Sequence, residues 1–138
     1  MAEITQLRDR QPESEKITIN LGFVDLGRID LLVREGFYSN RSDFIRTAIR
    51  RQFDTHGEAV DRSIERHMME LGLREFTRTE LEQARAAGET LHVRVVGLAR
   101  IAGDVTPELA RATIGSITVL GALQASADIK KALADRIT

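Results

Sequence analysis

The chain has 138 residues, 42% of them hydrophobic and 30% charged, with a formal net charge of −1; this fits one ordinary globular domain or two small ones and excludes a disordered chain. With no cysteine, no tryptophan and one tyrosine, it has neither a disulfide frame nor a thiolate metal site, nor the aromatics that a single-strand stacking platform needs. No apolar run reaches the ~18 residues of a membrane span and no signal-peptide core opens the chain, so a cytoplasmic location is expected and no membrane partner.

Residues 1–14 (MAEITQLRDRQPES) are polar and mixed in charge and read as a flexible arm. Lys16–Leu21 then alternates strictly: Ile17, Ile19 and Leu21 point one way, Lys16, Thr18 and Asn20 the other, the period of a half-buried strand that Gly22 ends. From Phe23 the period becomes helical. Leu26, Ile29, Leu32 and Val33 share a face, and Gly36 follows as a C-terminal stop. A second helix begins in "SNRSDFIRTAIRRQF", where Asn40 is a favoured N-cap with Asp43 three residues on, a variant capping box. Its apolar face is Phe44, Ile45, Ala48, Ile49 and Phe53.

A first module is expected over 15–54 and a helical connector over 55–90. In the connector, Val60, Ile64, Met68 and Leu71 predict one amphipathic helix stopped by Gly72, and "TRTELEQARAAG" predicts a second, capped by Thr79 and ended by Gly88. Residues 91–138 change character. "LHVRVVGLARIAGDV" and "IGSITVLGALQA" are rich in Val, Ile and Gly, and each leads into a short helical run, one with Pro107 at its first turn and one capped by Ser126. "VVGLARIAGDVTPELA" lies beside "VLGALQASADIKKALA" with one gap, an internal duplication of a strand–turn–helix unit at a period near two dozen residues. Two such units are fewer than the roughly three that a solenoid needs. The fold class expected is therefore α+β: an N-terminal strand and two helices, a helix pair, and a small β/α duplicated domain for oligomerisation or sensing.

A lone strand leaves backbone groups unpaired, and each buried orphan costs about 1–3 kcal/mol. A second copy of the chain solves this, with two strands pairing antiparallel across a two-fold axis over the four helices. Lys16, Thr18 and Asn20 of both copies then form the outer face of a two-stranded ribbon, of the width that the major groove of B-DNA admits; Lys suits guanine acceptors, Asn suits adenine, and Thr suits either partner. The start of the second helix offers free N–H groups and a positive dipole end to a phosphate, and Ser39, Asn40, Arg41 and Ser42 add side-chain donors. Residues 16–53 carry seven cations against four anions, a local basic excess inside a slightly acidic chain.

Residues 15–53, through the alternating "KITINL", the two helices and "EGFYSNRSDFIRTAIR", resemble the ribbon-helix-helix DNA-binding fold of the MetJ/Arc/CopG superfamily, with particular likeness to its antitoxin and metalloregulator members. The resemblance implies a bacterial transcriptional regulator, a repressor acting as an obligate homodimer, in which Lys16, Thr18 and Asn20 read bases while Ser39, Asn40, Arg41 and Ser42 hold the phosphates. Higher assembly to a tetramer or beyond is open, as are an effector and a toxin partner. An antitoxin that autoregulates its operon is the second reading. A polymer-forming structural protein is the third, since "VRVVG" and "ITVLG" loosely resemble bactofilin-type units.

Purely structural roles are open to the same residues. Thr18 is a good strand former, Lys16 suits a solvated edge, and Asn40 and Ser42 suit a helix cap. Arg46, Arg50 and Arg51 read as a solvated helix face. His56, His67 and His92 lack the spacing of a helical metal site, so neither metal nor cofactor is expected. No catalytic motif stands out, and the acidic residues are scattered on amphipathic helices, so no enzymatic role is expected.

Overall fold

The computed structural model describes residues 12–138; most of the arm expected at 1–14 lies outside them. The described residues fall into two compact units, Ser14–Arg62 and one containing Ser63–Thr138. Helices and a three-stranded sheet make the chain α+β. Among the described residues no helix is long and apolar enough to cross a membrane.

In the first unit, residues 14–22 carry no hydrogen-bonded secondary structure. The strand expected at Lys16–Leu21 forms no ladder with any described strand of the single chain. Helix α1 (Phe23–Arg34) ends in a Schellman motif: Gly36, at φ +87°, donates its N–H to the Val33 carbonyl at 3.0 Å, and Phe37 donates to Leu32 at 2.9 Å. Glycine is needed there because the left-handed backbone penalises a Cβ. Helix α2 (Arg41–Thr55) follows. Tyr38, in the link, packs edge-on against Phe44 with ring centroids 5.1 Å apart.

Helix α3 (Gly57–Arg66) is shorter than the periodicity predicted. It closes with the same motif, Met69 donating to Ile64 and Met68 to Glu65, but the left-handed position is held by Met68 at φ +50°. Met68 and Leu71, expected on a helix, therefore lie beyond its end, and Leu71 belongs to strand β1 (Glu70–Phe76). The segment expected to be a helical connector thus contains a strand. Helix α4 (Arg78–Ala86) is capped by Thr77, whose hydroxyl accepts from the Glu80 N–H, two residues ahead of the expected Thr79; Gly88 does end it, at φ +69°.

Strand β2 (Leu91–Ile101), helix α5 (Pro107–Thr113), strand β3 (Ile114–Gln124) and helix α6 (Ala127–Ala132) complete the second unit. The strands lie parallel in the order β1-β2-β3. Gly72 pairs with Gly97 and Gly97 with Gly121, so the duplicated unit occurs three times, β1–α4 being the first copy. Hydroxyl caps recur with it: Thr77, Thr106 and Ser126 each accept from the N–H three residues on. Helices of 9, 7 and 6 residues are too short to persist alone and are held by packing. Phe76, Val93, Val95, Ala99, Ile101 and Ile117 of the sheet meet Leu81, Leu109, Ala110, Ile129 and Leu133 of the helices in one buried core. Alternate residues place Leu71, Leu73, Val96, Leu98, Leu120 and Ala122 on the opposite sheet face.

The three aligned glycines adopt φ of +125°, +134° and +121°, and a Cβ on Gly97 or Gly121 would overlap the carbonyl oxygen of the glycine on the preceding strand. Gly97→Ala should therefore cost about 2–4 kcal/mol in urea unfolding, from strain and overlap together. Gly103→Ala, with open space around it, should change stability by less than about 1 kcal/mol. Met68→Gly should raise stability by about 1 kcal/mol by relieving the left-handed methionine.

Candidate nucleic-acid interface

The first unit fails to bury its own apolar face. Ile29 is the one buried hydrophobic residue of α1, and α2 buries none. Ile17 is 76% exposed and Ile19 59%. Ile19, Leu21, Ile29, Phe44, Ile45, Ala48, Ile49 and Phe53 line one concave, apolar groove of about 700 Å³. Ile19 and Leu21 of the alternating segment, though not Ile17, meet Ile29 of α1 and the apolar face of α2 there, so the amphipathic patterns converge on one surface. A unit of this size needs more core than that to fold.

Lys16, Thr18 and Asn20 are exposed on the segment that precedes α1, alternating with the residues that face the groove. They carry one ammonium, one hydroxyl and one amide.

Ser39, Asn40, Arg41 and Ser42 come together at the start of α2. Asn40 caps it, its Oδ1 accepting from the Asp43 N–H at 2.8 Å. The Asp43 carboxylate turns back and accepts from the Ser39 N–H at 2.9 Å, one residue earlier than a standard capping box would place the bond. The Ser39 amide is thereby used, leaving its hydroxyl. The Arg41 and Ser42 amides fall in the first turn, where α-helical bonding supplies no partner.

Arg41 is not a lone cation. Its Nε and Nη2 donate to the two carboxylate oxygens of Asp30, each at 2.8 Å, a fork that ties the first turn of α2 to the middle of α1. The pairing spans eleven residues across a turn, beyond the reach of helical spacing rules. The hydrogen bonds from Arg41, with its positive charge, hold the Asp30 carboxyl below its ordinary value. Both side chains are about half exposed, so the pair positions more than it stabilises. Its stabilisation is full above the ordinary carboxylate range and is lost as pH falls through the depressed value of the folded state. Among the described residues Nε and Nη2 are engaged by Asp30 and Nη1 is not, which leaves it to a second anion.

Among the described residues no group of three or more His, Cys, Asp or Glu converges on a point that could hold a metal ion. His92 lies on the second unit's sheet, where its Nδ1 is 2.7 Å from the Ser116 hydroxyl.

In an NMR titration the Asp30 carboxyl should have a midpoint below the ordinary value of 3.8, and Arg41→Ala should return it to that value. An unchanged midpoint in the variant would show that the fork does not persist in solution.

Residues 12–130 match the model of the Ribbon-Helix-Helix transcriptional regulator family. The match runs through the sheet unit as well as the helical one. No curated protein and no solved structure matches the chain.

Proposed function

The chain belongs to the Ribbon-Helix-Helix transcriptional regulator family, and from that premise we propose that it acts as a homodimer that represses transcription by sequence-specific binding to double-stranded DNA. The observation that carries the proposal is the groove between residues 19–21 and α2, apolar and open in a unit with one buried hydrophobic side chain in its two principal helices. Covering it with the same surface of a second copy buries both apolar faces and pairs the two unladdered segments antiparallel. Lys16, Thr18 and Asn20 from both copies then face outward on one ribbon and read base edges in the major groove.

The start of α2 supplies the phosphate contact. The Arg41 and Ser42 amides, the Ser39 and Ser42 hydroxyls and the uncommitted Nη1 of Arg41 converge there, with the helix dipole adding positive potential. Asp43 sits in the same turn, but its carboxylate is engaged by the Ser39 amide. Asp30 fixes the direction of Arg41, so its remaining Nη1 is offered to the phosphate in a preset orientation. These contacts set register on the duplex without reading sequence.

A folded second unit with its own core favours a regulator over an antitoxin whose tail folds on its toxin.

Lys16→Ala combined with Asn20→Ala should leave a folded dimer that selects no defined site from a random DNA pool; recovery of the parent's site would exclude the ribbon as the reading surface. Arg41→Ala should weaken binding to all sequences alike and lower the slope of log affinity against log salt by about 1 per chain. A changed sequence preference in that variant would count against a phosphate role.

A further inference from the structure

The three-rung sheet has two unlike ends. At the β3 end the C-terminus closes part of the edge: Ile137 bridges to Ile117, Thr138 donates its N–H to the Ile117 carbonyl at 2.9 Å, and Arg136 donates to the Ile114 carbonyl at 2.7 Å. At the β1 end no strand among the described residues pairs with the outer edge. Glu70, Gly72 and Glu75 are exposed there, with Leu71 at 68% and Leu73 at 51%. Natural edge strands are normally blunted by proline, a bulge or a cover, and terminal repeats of a stacked array normally carry a cap. β1 has no proline, and its register to β2 is unbroken.

We propose that this edge is an interface for the β1 edge of a second copy, in antiparallel register centred on Gly72. The sequence "ELGLR", residues 70–74, is self-complementary about that glycine. Gly72 meets Gly72 of the second copy, and two backbones approach closely where neither carries a Cβ. Leu71 meets Leu73 twice across the axis, on the sheet face that already bears Val96, Leu98, Leu120 and Ala122, so the apolar rows run on into the second copy. Glu70 meets Arg74 twice, opposite charge against opposite charge. Within its own chain Arg74 is held by Glu80, stacks over the Phe76 ring and lies 3.6 Å from Glu70. Centring on Leu73 instead would set Leu71 against Glu75 and Gly72 against Arg74, and would lose both matches. The contact is isologous, so it closes on itself instead of propagating.

The absence of cysteine makes disulfide trapping a clean test in the full-length chain. Leu71→Cys and Leu73→Cys are exposed substitutions that leave the core untouched. Residues directly opposite in an antiparallel pair have Cα atoms about 4.5–5.5 Å apart, inside disulfide range, whereas diagonal neighbours stand about 7–8 Å apart, outside it. Co-production of the two variants with different tags, followed by mild oxidation, should give the 71–73 cross-linked pair, while either variant alone should give little. Adding Glu70→Arg to both chains sets like charges opposite each other and should lower the mixed cross-link about tenfold. The proposal is overturned if the mixture cross-links no faster than either variant alone, or if Leu71→Cys cross-links to itself as readily. It is also overturned if Glu70→Arg changes nothing.

Discussion

The constraint on which the first unit depends is unburied apolar surface. Fully covering a side chain of the size of Ile19, Phe44 or Phe53 is worth about 1.5–3 kcal/mol, and here a row of them lines an open groove. Among the described residues neither α1 nor α2 covers them: α1 buries Ile29 alone and α2 buries no hydrophobic residue. On the proposed reading the second copy covers the groove, and the same act turns Lys16, Thr18 and Asn20 outward in pairs. Folding and the assembly of the DNA-reading face are then one event, and a chain that cannot dimerise cannot present the polar face.

The second unit is organised by a different constraint, which is space for a backbone. Gly72, Gly97 and Gly121 stack because a Cβ on the second or third would collide with the carbonyl oxygen of the rung before it. The positive φ at each glycine makes the position doubly exclusive. The glycine rung sits in one register across all three strands, β1 against β2 throughout and β2 against β3 from His92 onward, past an irregularity at Leu91/His92. The short helices then fall in line, each started by a hydroxyl cap just past its strand. Three copies are what burying a continuous core requires.

Much of this was legible in the sequence where local chemistry is decisive. The glycine at 36 and the asparagine at 40 announce the helix stop and the helix start, whereas the strict alternation at 16–21 announces a strand for which the single chain shows no ladder. Pro107 and Ser126 announced two later helix starts in the same way. The third repeat was hidden by a coincidence of period: Val60, Ile64, Met68 and Leu71 fit one helical face, and no glycine marks the true end of α3, where Met68 accepts the left-handed backbone. Gly72 consequently read as a helix stop when it is the first rung of the ladder. The sign that could have found it is the pattern Gly-Leu, a hydrophobic residue, then a capping hydroxyl, shared by residues 72–77 and 97–106. The Asp30–Arg41 fork was out of reach, because it rests on tertiary proximity that no spacing rule encodes.

The two ends of the sheet bear on how many chains can assemble. An open polymer built through the sheet edges alone needs a heterologous contact, with the β1 edge of one copy on the β3 edge of the next, and the bridge from Ile137 to Ile117 stands on that second edge. A self-complementary β1 edge needs no second surface and saturates after one partner. On that reading the chain has two self-limiting contacts, one through the groove of the first unit and one through Gly72. If both join the same two chains, the dimer is doubly held. If they join different chains and the two two-fold contacts close into a four-chain ring, two DNA-binding dimers become one particle, and each occupied half-site raises the effective concentration of the next. On that proposed reading the second unit adds affinity for paired sites on DNA without touching DNA itself.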